Sequence, residues 1–62
     1  MSPTQIVTQV RSLVSEGQVP KSQIALASGL SINALNYLLD ELWNPRLRTL
    51  VALERYLVNR DG

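Results

Sequence analysis

Apolar residues recur at helical spacing in four stretches of this chain, separated by turn-forming residues. Ile6, Val10, Leu13 and Val14 make one apolar stripe, the pattern of an amphipathic helix. Ser2 can cap that helix, Pro3 suits its first position, and Gln5, three residues after Ser2, completes a capping-box pattern. The first helix is therefore expected from about Pro3 to Glu16, with Gly17 as its stop. A short second helix, about Lys21 to Ser28, follows Pro20, carries Ile24, Ala25 and Ala27 as its apolar surface, and ends at Gly29. A third helix is expected from about Ile32 to Leu42, with Ser31 as its N-cap. A fourth runs from about Pro45 to Asn59, capped by Asn44, with Leu47, Leu50, Leu53 and Leu57 at three- and four-residue spacing. The tail from Arg60 to Gly62 should fray. The expected fold is an all-α, compact four-helix domain spanning residues 1–62 as one unit. Only Gly29-Leu30-Ser31 separates the second helix from the third, a spacing that suits a helix-turn-helix.

The third helix would have two faces of different chemistry. Successive side chains on a helix turn by about 100°. Ala34, Leu35, Leu38 and Leu42 then fall on one arc, which wants a core. Ile32, Asn33, Asn36 and Tyr37 fall on the opposite arc. Asparagine can bond both ends of its amide to adenine in the major groove, and isoleucine can touch a thymine methyl. Tyrosine can bond to phosphate or to a base edge. The same residues could simply form a solvated helix surface. Asparagine is a poor helix former, however, and an exposed isoleucine is an odd choice for such a surface.

Gln23-Ile24-Ala25, Gly29-Leu30-Ser31, Leu35, Leu38 and Pro45-Arg46-Leu47-Arg48-Thr49-Leu50, with Leu53 and Leu57 beyond them, resemble the lambda-repressor-like helix-turn-helix family, which includes Cro and Xre-type regulators. The resemblance covers about Val19 to Leu57. It implies a phage or bacterial transcriptional regulator, repressor or Cro-like, that binds double-stranded DNA with the helix at about 32–42 in the major groove. By position, Ile32, Asn33, Asn36 and Tyr37 would read bases, and Ser31 would touch phosphate or a base edge. Lys21 and Gln23 would grip phosphate, and so would Arg46 and Arg48 at the entry to the fourth helix. Departures from the family pattern are Glu41 where glycine is common, Leu39 where glutamate is common, and Arg46 where serine often caps the last helix. Asp40 lies near the DNA-facing arc and would repel phosphate unless an arginine pairs with it. Arg46 and Arg48 could instead be solvated, or paired with Asp40 or Glu41.

Leu39, Leu42 and Trp43 would pack in the core or form a dimer patch, since tryptophan is enriched at interface hot spots. Family members often bind as symmetric dimers, and a homodimer through Leu39, Leu42, Trp43 or Tyr56, with Val58 nearby, is the corresponding expectation.

The chain has 62 residues, no cysteine, no histidine and a net charge of +1. Disulfides and thiolate or imidazole metal sites are excluded as staples. The modest charge requires any DNA-binding cations to be concentrated on one face. Glu16, Asp40, Glu41, Glu54 and Asp61 form no recognisable acid-base or metal cluster, and no Gly-rich phosphate loop is present. No enzymatic activity, cofactor, metal or small-molecule substrate is expected. No apolar run approaches the ~20 residues that span a bilayer, and the start lacks a signal-peptide pattern, so a cytoplasmic protein is expected. The competing expectation is a helical protein-interaction module, antirepressor- or antitoxin-like, without direct DNA readout.

Overall fold

The computed structural model describes residues 1–61. Its first helix, α1, spans Pro3–Ser15. The capping box forms in full: Gln5 N donates to Ser2 Oγ at 3.2 Å, and Ser2 N donates to Gln5 Oε1 at 2.9 Å. Two amides that a helix start leaves without partners are thereby satisfied. At the other end Gly17 takes φ +73°, and Gln18 N and Gly17 N donate to the carbonyls of Leu13 and Val14. This is the six-to-one and five-to-two closure that uses a left-handed residue to stop a helix.

The second helix, α2, spans Lys21–Ser28 and closes the same way. Gly29 takes φ +72°, while Leu30 N and Gly29 N donate to the carbonyls of Ala25 and Leu26. Ser31 then lies in extended backbone, at φ −76° and ψ 153°. The turn expected at Gly29-Leu30-Ser31 is thus present.

The α-helix expected over about 32–42 is not formed. Ile32–Leu35 make a 3-10 turn instead, and tight turns follow. The backbone bonds run from Ala34 to Ser31, Asn36 to Asn33, Leu38 to Leu35, Asp40 to Tyr37 and Trp43 to Asp40, all three residues back. An α-helix requires bonds four residues back. Ser31 stands at the N-cap position, but its hydroxyl makes no cap bond. Asparagine side chains compete with the helical backbone, and Asn36 Nδ2 here donates to Asn33 Oδ1 at 3.2 Å.

The last helix, α3, spans Leu47–Asp61, two residues later than expected at each end. Leu50 N donates to the Arg46 carbonyl at 3.0 Å, so Arg46, not Asn44, carries the first helical acceptor. The helix continues through Arg60, where fraying was expected, and Gly62 lies outside the described residues.

The protein is therefore all-helical, with three α-helices, one 3-10 turn and no strand among the described residues. Helix α3 packs on α1 and α2, and the 3-10 turn packs on α2. The radius of gyration is 10.3 Å, close to the ~10.5 Å of a compact domain of this length. The core takes Ile6, Val10 and Leu13 from α1, Ile24 and Ala25 from α2, and Leu53 and Leu57 from α3. Val19, Leu35 and Leu38 enter it from the connections, and no charged or polar residue is buried among the described residues. Of the stripe expected on α1, Val14 is only partly buried. No helix among the described residues is long and apolar enough to cross a membrane.

Candidate nucleic-acid interface

The segment after α2 is two-faced although it is not an α-helix. Leu35 and Leu38 are fully buried, while Ile32, Asn33, Asn36 and Tyr37 are exposed. Tyr37 is 69% exposed and Ile32 44%. Leu35 ends the 3-10 turn and Leu38 follows one three-residue bond later, so the two share an inward face, while Ile32, at the outer start of the turn, stays 44% exposed. Asn36 donates one amide proton to Asn33 Oδ1. Its carbonyl oxygen and second amide proton remain for another partner, the donor and acceptor that an adenine edge requires.

The candidate phosphate contacts surround this face in sequence. Gln23 and Ser31 are exposed and Lys21 is partly so. Pro20 precedes α2 and provides no side-chain cap. Gln23 N and Ile24 N donate to the Pro20 carbonyl, which leaves the Lys21 and Ser22 amides, at the positive end of the helix dipole, to meet an anion. Arg46 and Arg48 are exposed at the entry to α3. Neither pairs with Asp40 or Glu41. Among the described residues the only ion pair joins the Met1 ammonium to Glu54 Oε2 at 2.9 Å. Asp40 is occupied differently: its Oδ1 accepts from Leu42 N at 2.8 Å.

Arg11 is the residue that sequence reasoning missed. It appears in the sequence only as one of six cations. In the structure its Nε donates to the Leu38 carbonyl and its Nη2 to the Asp40 carbonyl, each at 2.6 Å. Both acceptors are backbone groups 27 and 29 residues away. A residue of any type carries such an acceptor, so no sequence signal marks the pairing.

The apolar residues assigned to a core or a dimer patch divide. Trp43 and Tyr56 are partly buried against the core. Leu39 and Leu42 do not pack there: they are 53% and 89% exposed. Leu42 leaves the inward arc expected of it because the chain abandons helical rotation before reaching it. Val58 is 55% exposed on α3.

The chain matches no family model, no curated protein and no solved structure.

Proposed function

We propose that this protein is a sequence-specific regulator that binds double-stranded DNA, with the face after α2 toward the major groove. This is the function implied by its resemblance to the lambda-repressor-like helix-turn-helix family. The observation that carries the proposal is the two-faced segment: Leu35 and Leu38 are fully buried, and Ile32, Asn33, Asn36 and Tyr37 are presented outward. The left-handed Gly29 and the short turn to Ser31 support a helix-turn-helix relation between α2 and this segment. A 3-10 segment replaces the expected recognition helix, so the groove would meet a narrower, tighter turn. Asn33, Asn36 and Tyr37 remain the base-reading candidates, and Ile32 the thymine-methyl contact. Lys21, Gln23, Ser31, Arg46 and Arg48 would hold phosphate, with the amides of Lys21 and Ser22 at the start of α2 beside them. A cytoplasmic regulator of phage or bacterial type fits this role.

The competing function is docking of a protein partner, and Leu39 and Leu42 are the specific observation in its favour. Both are exposed beside Asp40 and Glu41, an apolar and acidic edge that repels phosphate. A second copy of the chain is one such partner.

Fluorescence anisotropy of a labelled random-sequence duplex, titrated at several salt concentrations, separates the two. DNA binding weakens with salt at a log-log slope of about −0.9 per phosphate neutralised. Three cations at the interface, Lys21, Arg46 and Arg48, give a slope on the order of −2.7 per protomer. Absence of binding at low salt, with the protein folded, refutes the DNA function and leaves the docking one.

A further inference from the structure

We propose that Arg11 is the positioning residue of the candidate recognition segment: its guanidinium holds residues 36–42 in tight turns against the continuous helix their sequence pattern favours. The consequence for DNA rests on the function proposed above, whereas the backbone lock stands on geometry alone.

A helix through residue 42 requires Leu42 N to donate to the Leu38 carbonyl. Leu42 N is engaged elsewhere, and the Leu38 carbonyl, which can accept twice, has one position filled. The Leu38 carbonyl accepts from Arg11 Nε, and Leu42 N donates to Asp40 Oδ1. The Asp40 carbonyl is likewise taken, by Arg11 Nη2 and Trp43 N.

The shape of the guanidinium makes the exclusion stronger. Its donors sit in one rigid, planar fork. In an α-helix, residues two apart are rotated by about 200°, so their carbonyls stand on nearly opposite sides of the axis. One fork cannot reach both. Arg11 can therefore hold the carbonyls of Leu38 and Asp40 together only while this stretch is not α-helical. Burial agrees: a helix would place Leu42 on the same face as Leu38, yet Leu38 is fully buried and Leu42 is 89% exposed. By fixing the backbone at Leu38 and Asp40, Arg11 thus sets the direction in which Asn36 and Tyr37 leave the surface.

The test compares Arg11→Met, which removes the fork, and Arg11→Lys, which keeps the charge but cannot span both carbonyls, with the unaltered protein. Backbone chemical shifts are measured by NMR. Cα shifts of residues 36–42 should move toward α-helical values in both variants, while those of Ile24 and Leu53 stay in place. Shifts at 36–42 that match the unaltered protein overturn the lock. Random-coil values there would support the lock and overturn the competing helix. Should both variants unfold, the unaltered protein decides through proton exchange at Arg11 Nε. Exchange slower than at the exposed Arg48 supports the lock, and equal exchange overturns it.

The functional arm uses a DNA site selected from a random library and a random duplex. Arg11→Lys should lower the ratio of specific to non-specific affinity about tenfold, the loss of roughly one base contact. Non-specific affinity should stay within about twofold, because the phosphate-contacting cations are unchanged. An unchanged ratio overturns the positioning role. If the unaltered protein binds neither duplex, the DNA function fails, and the chemical shifts still decide the lock.

Discussion

Replacing Leu38 and Leu42 separately with alanine distinguishes the turn-built segment from a helix more directly than any other pair of substitutions. Four residues apart, they would share the buried face of an α-helix and lose comparable stability. Here Leu38 is 0% exposed and Leu42 89%. Leu38→Ala removes three buried carbons, about 2.4 kcal/mol at ~0.8 kcal/mol each. The cavity left behind raises the loss to about 3–5 kcal/mol. A chain of 62 residues has a total stability of about 3–9 kcal/mol, so Leu38→Ala should remove roughly a third of it or more. Leu42→Ala should fall within about 0.5 kcal/mol of the unaltered protein. The assay is urea unfolding followed by fluorescence of Trp43, the only tryptophan, with circular dichroism as the second probe. Sulfate or a stabilising osmolyte keeps the weaker variant within range. Equal losses at the two positions would restore the helix and refute the turn. A loss below about 1 kcal/mol at Leu38 would mean that the segment is not docked on the core at all.

The remaining predictions concern the turn, the first cap and the proposed face. Gly29→Ala should cost about 1–2 kcal/mol in thermal unfolding, because the left-handed backbone penalises a Cβ. That Cβ would meet nothing within 4 Å, so the cost is conformational and Gly29→Asn should recover much of it; an unchanged melting temperature would refute the left-handed turn. Ser2→Ala should cost about 1 kcal/mol and speed hydrogen exchange at Gln5, whose amide loses its acceptor. Unaltered exchange there would show that the cap is not maintained in solution. For DNA, Asn36→Ala should weaken binding to a selected site by about 1–3 kcal/mol and relax one base preference. Lys21→Ala should instead weaken all sequences alike and flatten the salt slope by about 0.9. If Asn36→Ala leaves affinity and preference intact, Asn36 does not read a base.

Local chemistry was sufficient for the first half of the chain. Ser2, Pro3 and Gln5 define the start of α1, and Gly17 and Gly29 terminate α1 and α2, through interactions that reach no more than five residues. The buried residues of those helices followed from spacing, since Ile6, Val10, Leu13 and Ile24 sit where a 3.6-residue period puts them. The same period identified Leu35 and Leu38 as inward, and Asn33, Asn36 and Tyr37 as outward. A 3-10 turn and an α-helix agree over the first few residues and diverge only as their rotations accumulate.

That divergence separates the two halves of the problem. By Leu42 the inward arc of the helix no longer applies, and the residue is exposed. Asp40 Oδ1 takes Leu42 N locally, and the tertiary structure adds the long-range part, because Arg11 on α1 reaches the Leu38 and Asp40 carbonyls after the intervening chain has folded back on itself. A backbone carbonyl looks the same in every sequence, so the fork that selects two of them leaves no trace in residue type or spacing. The sequence alone determined where α1 and α2 lie and most of their inward residues, because caps and periodicity act over a single turn; Val14 is only partly buried and Ala27, expected on the apolar surface of α2, is exposed. That residues 36–42 leave the helix follows in part from the local bond of Asp40 to Leu42 N, but the hold of Arg11 on their carbonyls came only with the fold, because those bonds are long-range.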